Sequence, residues 1–251
     1  MTITLEVALS RQVALGRELD VVANNIANIN TTGYKTDGTL FEEYLASAAR
    51  ADPNQSYISF VQDRGTWTNM SAGPVEQTGN PLNVAIDGNA FLVVQTARGE
   101  RYTRNGALQI NGEGQLVTSE GDAVLGDSGP IQFQPTDNSV SISRDGIISV
   151  REGNSKTYSA RGILRLVAFD DATQLQKDGG SAFATVGDAQ PTPAKAARLI
   201  QGSIEKSNVR GVVEMSRMIE ITRSYTQIAA LLQQLSDQSQ QAINKLAEVP
   251  I

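Results

Sequence analysis

Residues 5–29, LEVALSRQVALGRELDVVANNIANI, and residues 218–246, MIEITRSYTQIAALLQQLSDQSQQAINKL, decide the reading of this chain. In the first, Leu5, Ala8, Gln12, Leu15, Leu19, Val22, Ile26 and Ile29 advance by alternating steps of three and four. In the second, Met218, Ile221, Tyr225, Ile228, Leu232, Leu235, Ser239, Ala242 and Leu246 do the same. That spacing lays a narrow apolar stripe along an α-helix, suited to a partner helix more than to a broad core. Gln12 and Ser239 put a polar residue on each stripe, a device that fixes register. A chain that pairs its two ends and displays its middle has the plan of an assembling subunit rather than of an enzyme. An intramolecular helical hairpin that merely closes the fold is the plainer alternative.

Working outward from the first stripe, the helix is expected to begin at Thr2 or Thr4 and run to about Ile29. It should stop at Asn30-Thr31-Thr32-Gly33, with Gly33 in the left-handed position past its end. Asn24, Asn25 and Asn28 are weak helix formers, so their amides beside the stripe point either to specific side-chain hydrogen bonds or to a solvated, fraying end. Residues 34–80 read as a mixed connector, with a short helical patch at 40–50 (Phe41, Tyr44, Leu45 and Ala48 on one face) and an extended segment holding Tyr57, Ile58, Phe60, Val61 and Trp67. The single Trp67 is expected to be a packing residue.

From 81 to 190 the texture is β. Short apolar runs at 84–86, 91–94, 115–118, 123–125, 140–142, 147–150 and 163–169 alternate with Asp87-Gly88, Asn105-Gly106, Asn111-Gly112, Glu120-Gly121, Asp145-Gly146 and Glu152-Gly153. Such dipeptides tolerate the positive φ of tight turns, so an antiparallel sandwich or irregular barrel is expected. Residues 191–251 then hold a linker and a second long helix, capped by Ser207 or Asn208 and ending near Leu246. The fold class is thus α+β: a coiled-coil-like terminal domain built from residues 1–33 and the C-terminal helix, around a central antiparallel β domain.

Composition excludes several functions. The 251 residues contain no Cys and no His, which removes thiolate and imidazole from both nucleophilic catalysis and metal binding. A net charge of −6 leaves no basic footprint for nucleic acid. No run approaches the ~20 apolar residues of a membrane span, so no membrane insertion is expected. Met1-Thr2-Ile3-Thr4-Leu5-Glu6 lacks the basic and apolar regions of a cleaved secretory leader. The remaining candidates for chemistry read as ordinary structure. Glu42 and Glu43 point in different directions on a helix, Asp170-Asp171 close a strand, and Asn111-Gly-Glu-Gly114 lacks the Lys-Ser/Thr of a phosphate loop. No catalytic residues, metal site or cofactor are expected.

Three separated stretches carry a resemblance. Ala23-Asn24-Asn25-Ile26-Ala27-Asn28-Ile29-Asn30-Thr31-Thr32-Gly33-Tyr34-Lys35 is similar to the N-terminal signature of the flagellar axial proteins of the rod and hook. Pro81 to Gly88, with Tyr102-Thr103-Arg104-Asn105-Gly106 and Gly114-Gln115-Leu116-Val117, resembles their central domain. Gln201-Gly202-Ser203-Ile204-Glu205-Lys206-Ser207-Asn208-Val209, followed by Glu214-Met215, Met218-Ile219 and Arg223-Ser224-Tyr225, resembles their closing motif. The length and Gly126-Asp127-Ser128-Gly129-Pro130-Ile131 are most similar to the proximal-rod members, with the distal rod next. One departure is Asp87-Gly88-Asn89-Ala90-Phe91-Leu92, where relatives often have Gly-Asp-Gly-Phe-Phe.

The resemblance implies a structural subunit of the flagellar rod, the hollow shaft crossing the periplasm, exported by the flagellar type III apparatus without a cleaved signal peptide. Its partners would be further copies of itself and neighbouring rod proteins. The implied assembly residues are Ala23, Asn24, Asn25, Ala27, Asn28, Thr32 and Gly33, the closing-motif residues Gln201, Gly202, Glu205, Ser207, Asn208 and Val209, and the seams Leu15, Leu19, Val22, Ile26, Met218, Ile221, Tyr225, Ile228, Leu232 and Leu235. The competing reading is a distal-rod or hook-type subunit, or a secreted oligomeric module that binds or hydrolyses glycans. The last requires two carboxylates in one cleft, with Asp122, Asp127, Asp145 and Asp170 as candidates.

Overall fold

The computed structural model describes residues 2–45, 59–153, 155, 157–187, 189–194 and 196–247; the side chains of 2–5, 41–45, 59–64, 172, 242, 243, 246 and 247 lie outside that description. The chain divides into two compact units, one formed by Met1–Ala27, Asp37–Asn69 and Arg210–Ile251, the other by Asn28–Thr36 and Met70–Val209. The fold is α+β, with a helix at each end and an antiparallel β region between them.

In the terminal unit, α1 (Thr2–Ala27) packs against α2 (Gly211–Ala247) and against a hairpin of β1 (Asp37–Leu45) and β2 (Ser59–Thr68). β1 corrects the expected helical patch. Phe41, Tyr44 and Leu45 do satisfy a helical period, but Asp37 to Leu45 pair antiparallel with Thr68 to Ser59. The described part of that partner strand holds Thr66, Trp67 and Thr68, and such β-branched and aromatic partners override a short helical pattern. Ala48, Tyr57 and Ile58 fall outside the described residues. Trp67 lies across from Gly38, where a Cβ would sit 2.5 Å from the indole Nε1. It packs there with one face while staying half exposed.

The helix ends also differ from expectation. α1 stops at Ala27, two residues early, because the chain turns at Asn28: Thr31 N–H donates to the Asn28 carbonyl at 3.1 Å and Thr31 Oγ1 donates to Asn28 Oδ1 at 3.1 Å. Gly33 has φ +70°, the left-handed conformation anticipated for it. α2 starts at Gly211 rather than at 207 or 208, since the first intrahelical acceptor is the Arg210 carbonyl, bonded by Val213 and Glu214 N–H. Asn208 is not a cap; its side chain is committed elsewhere, as described below.

The central unit is antiparallel throughout its described pairings. Its largest sheet runs Leu175–Lys177, Ala182–Thr185, Gly99–Thr103, Phe91–Thr96, Ala123–Gly126, Leu116–Thr118, Leu108–Ile110. Phe91–Thr96 is its spine. Leu92 and Val94 enter one apolar cluster, with Leu116, Val124, Ile148 and Leu199, while Phe91 and Val93 enter a second with Tyr102, Phe169 and Phe183. A strand covered on both faces reads as a continuous apolar run, as 91–94 does. Asp137–Ile142, Ile147–Glu152 and Tyr158–Ile163 form a second sheet. The expected single strand at 163–169 is two. Tyr158–Ile163 ends the second sheet, and Leu166–Ala168 pairs with Phe91–Thr96 and with Thr192–Pro193. The break comes where Asp127 N–H bonds the Ile163 carbonyl and Arg165 N–H the Leu125 carbonyl, passing the chain from one sheet to the other. Before α2, Arg198–Gln201 pairs with Val84–Asp87, and Ser203–Glu205 pairs with Val75–Gln77.

Most of the anticipated turns are present, with Gly88, Gly121, Gly146 and Gly153 at positive φ. Asn105-Gly106 is not one of these hairpins. It lies between a strand that pairs with Phe91–Thr96 and one that pairs with Leu116–Thr118, and a Cβ on Gly106 would lie 1.7 Å from the Val84 carbonyl oxygen. The glycine there serves close backbone approach.

Candidate functional site

α1 and α2 run antiparallel, for Asn25 reaches Glu214, Glu18 reaches Arg217, and Gly16 faces Tyr225. Val22 and Ile221 are buried on the facing sides; Leu15, Leu19, Ile26, Met218, Tyr225, Ile228, Leu232 and Leu235 are partly buried, as is Gln12. Ser239 is exposed, so the polar position expected on the second seam meets water. Each helix also carries an outward apolar set that the seam pattern did not single out. On α2, Val212, Met215 and Ile219 are 81%, 53% and 55% exposed; on α1, Leu9 and Val13 are 54% and 64% exposed.

Within the N-terminal signature the three amides have different fates. Asn25 is buried, and its Nδ2 donates to the Asp37 carbonyl (2.8 Å) and to Glu214 Oε2 (3.3 Å), while its Oδ1 accepts from Asp37 N–H (3.0 Å). One side chain therefore ties α1 to the hairpin and to the first turn of α2. That answers the alternative of a solvated helix end at this residue. Asn24 and Ala27 are exposed, Ala23, Asn28 and Thr32 partly buried, and Gly33 buried.

In the central unit, Gly33, Lys35, Glu205 and Asn208 meet. Gly33 N–H donates to the Glu205 carbonyl at 2.8 Å, and Asn208 Oδ1 accepts from both Thr36 N–H and Thr36 Oγ1 at 2.7 Å. Asn208 Nδ2 donates to the Ser71 carbonyl at 3.0 Å. The Glu205 carboxylate, 1% exposed, receives Lys35 Nζ (2.6 Å), Arg104 Nε (2.7 Å) and Gly73 N–H (2.9 Å). Burial pushes this carboxyl up, but the Arg104 charge and the bonds from Lys35 and Gly73 outweigh it and hold it below the ordinary carboxylate value. Burial pulls the Lys35 ammonium below its ordinary value, with Glu205 opposing. Arg104 spends its remaining donors on the carbonyls of Ile86, Gly88 and Ala90. The altered turn at 87–90 is thus held by backbone carbonyls, which any side chains there would present. Gln201 donates to the Pro81 and Val140 carbonyls, Gly202 accepts from Thr78 and Gly79 N–H, Ser207 Oγ accepts from Val209 N–H, and Val209 is buried.

Lys35, Arg104 and Glu205 lie in three separate stretches of the sequence. Each stands within three residues of another charge, Asp37, Arg101 and Lys206 in turn, and so reads as ordinary solvated charge; nothing local reveals the pairing.

The carboxylates named for hydrolytic chemistry are partly brought together. Asp127 and Asp145 line one cleft of about 310 Å³ walled by Ile163, Leu164, Leu166, Pro193, Ala194 and Ala197, and Arg198 stands 3.6 Å from Asp145. Both carboxylates are exposed, whereas the general acid of a glycosidase needs an apolar, water-poor setting. Asp122 lines a separate small pocket with Glu120. Among the described residues no group of three or more Asp or Glu is placed to hold a metal ion.

A two-helix terminal unit with apolar outer faces and an antiparallel β unit make the plan of a structural protein. Comparison with known proteins agrees. Residues 5–35 match the family described as "Flagella basal body rod protein", residues 85–150 "Flagellar hook protein FlgE/F/G D1 domain", and residues 200–246 "Flagellar basal body rod FlgEFG protein C-terminal". The flagellar basal-body rod protein FlgF of Caulobacter vibrioides is 39% identical over 246 residues, covering 98% of each chain. FlgF of Mesorhizobium japonicum is 34% identical over 97% of each chain. FlgG of Bacillus subtilis is 30% identical over 90% of this chain and 92% of its own. The chain belongs to the flagellar basal-body rod protein family, and it is a structural protein of the rod.

Proposed function

We propose that this protein is a subunit of the proximal rod that polymerises through its terminal helices, which pair in coiled-coil fashion within the chain and pack against further copies and neighbouring rod proteins in the shaft. The outward apolar sets of α1 and α2 carry this reading, since aliphatic side chains left in water on a helix pair gain about 25 cal/mol for each Å² that a neighbouring chain covers. The inner seam residues build each subunit. Asn25 and the closing motif set its geometry and act on assembly through it. The central unit, with strands packed on both faces of Phe91–Thr96, supports an irregular sandwich that presents its surface outward. The site of action is the basal body, reached through the flagellar export apparatus. The 39% and 34% identities to FlgF of Caulobacter vibrioides and of Mesorhizobium japonicum, above the 30% to FlgG of Bacillus subtilis, favour the proximal over the distal rod.

Ile219→Asp in the source bacterium tests the proposal. A charge at this exposed position leaves the purified chain with unchanged helix content and thermal midpoint, while rods fail to form and cells are non-motile. Normal motility with the variant at normal abundance would refute it.

A further inference from the structure

The chain passes between its two units four times, after residues 27, 36, 69 and 209. On the central-unit side these passages begin or end in only three segments: 28–36, 70–73 and 205–209. The same three are the ones joined by Glu205 and Asn208. Lys35 Nζ bonds both Glu205 Oε1 (2.6 Å) and the Ser71 carbonyl (2.7 Å), and Gly73 N–H bonds Glu205 Oε1 (2.9 Å). Asn208 holds Thr36 with its oxygen and Ser71 with its nitrogen. The backbones are also in close contact: a Cβ on Gly73 would lie 2.0 Å from the Lys206 carbonyl oxygen, and Gly33 N–H donates to the Glu205 carbonyl at 2.8 Å.

We propose that Glu205 and Asn208 form one clamp that gathers every passage of the chain between the two units, so that the three segments order and come apart as a single mechanical node. The alternative is a set of independent local bonds that happen to be neighbours. A node differs in its failure. Lys35 is buried, its ammonium is held by Glu205 and the Ser71 carbonyl, and Glu205 is held in turn by Gly73 N–H, so the buried charge draws on all three segments at once. Releasing one segment exposes a buried charge to mismatch and removes the reason for the other two to stay. This reading stands on the subunit alone and does not depend on how the protein assembles.

Hydrogen exchange on the full chain in solution separates the two. Asn208→Ala removes bonds to Thr36 and Ser71 without touching a charge. The node predicts that the amides of Gly33, Thr36, Gly73 and Lys206, one or more from each segment, gain exchange together, on the order of tenfold or more for the four lost bonds. The amides of Phe91–Thr96 keep their protection. Faster exchange at Thr36 alone, with Gly73 and Lys206 unchanged, would overturn the proposal. Should Asn208→Ala unfold the chain, Thr36→Val removes a single hydroxyl bond and carries the same two outcomes at smaller amplitude.

Discussion

Glu205→Gln keeps the volume of the side chain and removes its charge, leaving Lys35 and Arg104 as two cations that are 0% and 3% exposed. Deleting one partner of a buried ion pair costs about 3–5 kcal/mol, because the remaining charge stays desolvated without compensation. Here two charges are stranded, although Arg104 retains three backbone carbonyls and Lys35 the Ser71 carbonyl, so the lower half of that range is the expectation. With a urea slope of roughly 2–3 kcal/mol/M, the unfolding midpoint of the purified chain falls by about 1–2 M. Lys35→Met in the Glu205→Gln background removes one stranded charge and recovers part of the loss, giving a large coupling energy in the double-mutant cycle. A loss below about 1 kcal/mol for Glu205→Gln, or additive effects in the cycle, would refute the view that this carboxylate is held by charge.

Acid unfolding should report the same group. Glu205 lies below its ordinary value in the folded chain, and so does Asp137, beside Arg161. Their stabilisation is fully present above the unfolded carboxyl value of about 4.3 for Glu and 3.9 for Asp, and it is lost as pH falls through the folded values. The urea midpoint should drop steeply below about pH 5, less so in Glu205→Gln; a wild-type midpoint flat from pH 5 to pH 3 would contradict this. Asn25→Ala removes three hydrogen bonds and leaves Glu214 buried with one partner fewer, a cost of about 2–3 kcal/mol readable from helix loss on heating. Gly106→Ala drives a Cβ into the Val84 carbonyl and should abolish soluble expression, while Gly112→Ala, which meets nothing within 4 Å, changes stability by less than about 0.5 kcal/mol.

Local pattern carried much of the fold. The alternating steps of three and four at both ends, and the Gly-punctuated apolar runs between 84 and 150, correspond to elements because their signals are local and repeated. The hairpin of β1 and β2 was hidden for the opposite reason. Phe41, Tyr44 and Leu45 fit a helix locally, and only pairing with residues 14 to 22 positions away makes them a strand. Asn208 illustrates a second kind of miss: an Asn before an apolar run is a good cap, and nothing nearby in sequence says that Thr36 and Ser71 claim its amide. Lys35 and Glu205 are as remote, 170 residues apart, and charged residues are read as solvated unless a partner is known. The outward stripe of α2 escaped because a helix with two apolar faces shows its stronger period first.

The outward faces of the two helices are not alike. One offers Leu9 and Val13, the other Val212, Met215 and Ile219. A surface that matches itself closes into a twofold pair and stops. In the assembly proposed above, two unlike surfaces on one molecule would join head to tail, and every addition would recreate the unsatisfied face it consumed. Such a lattice has no size written into it. Its length is then set from outside, by how much subunit arrives and by what finally covers the open end.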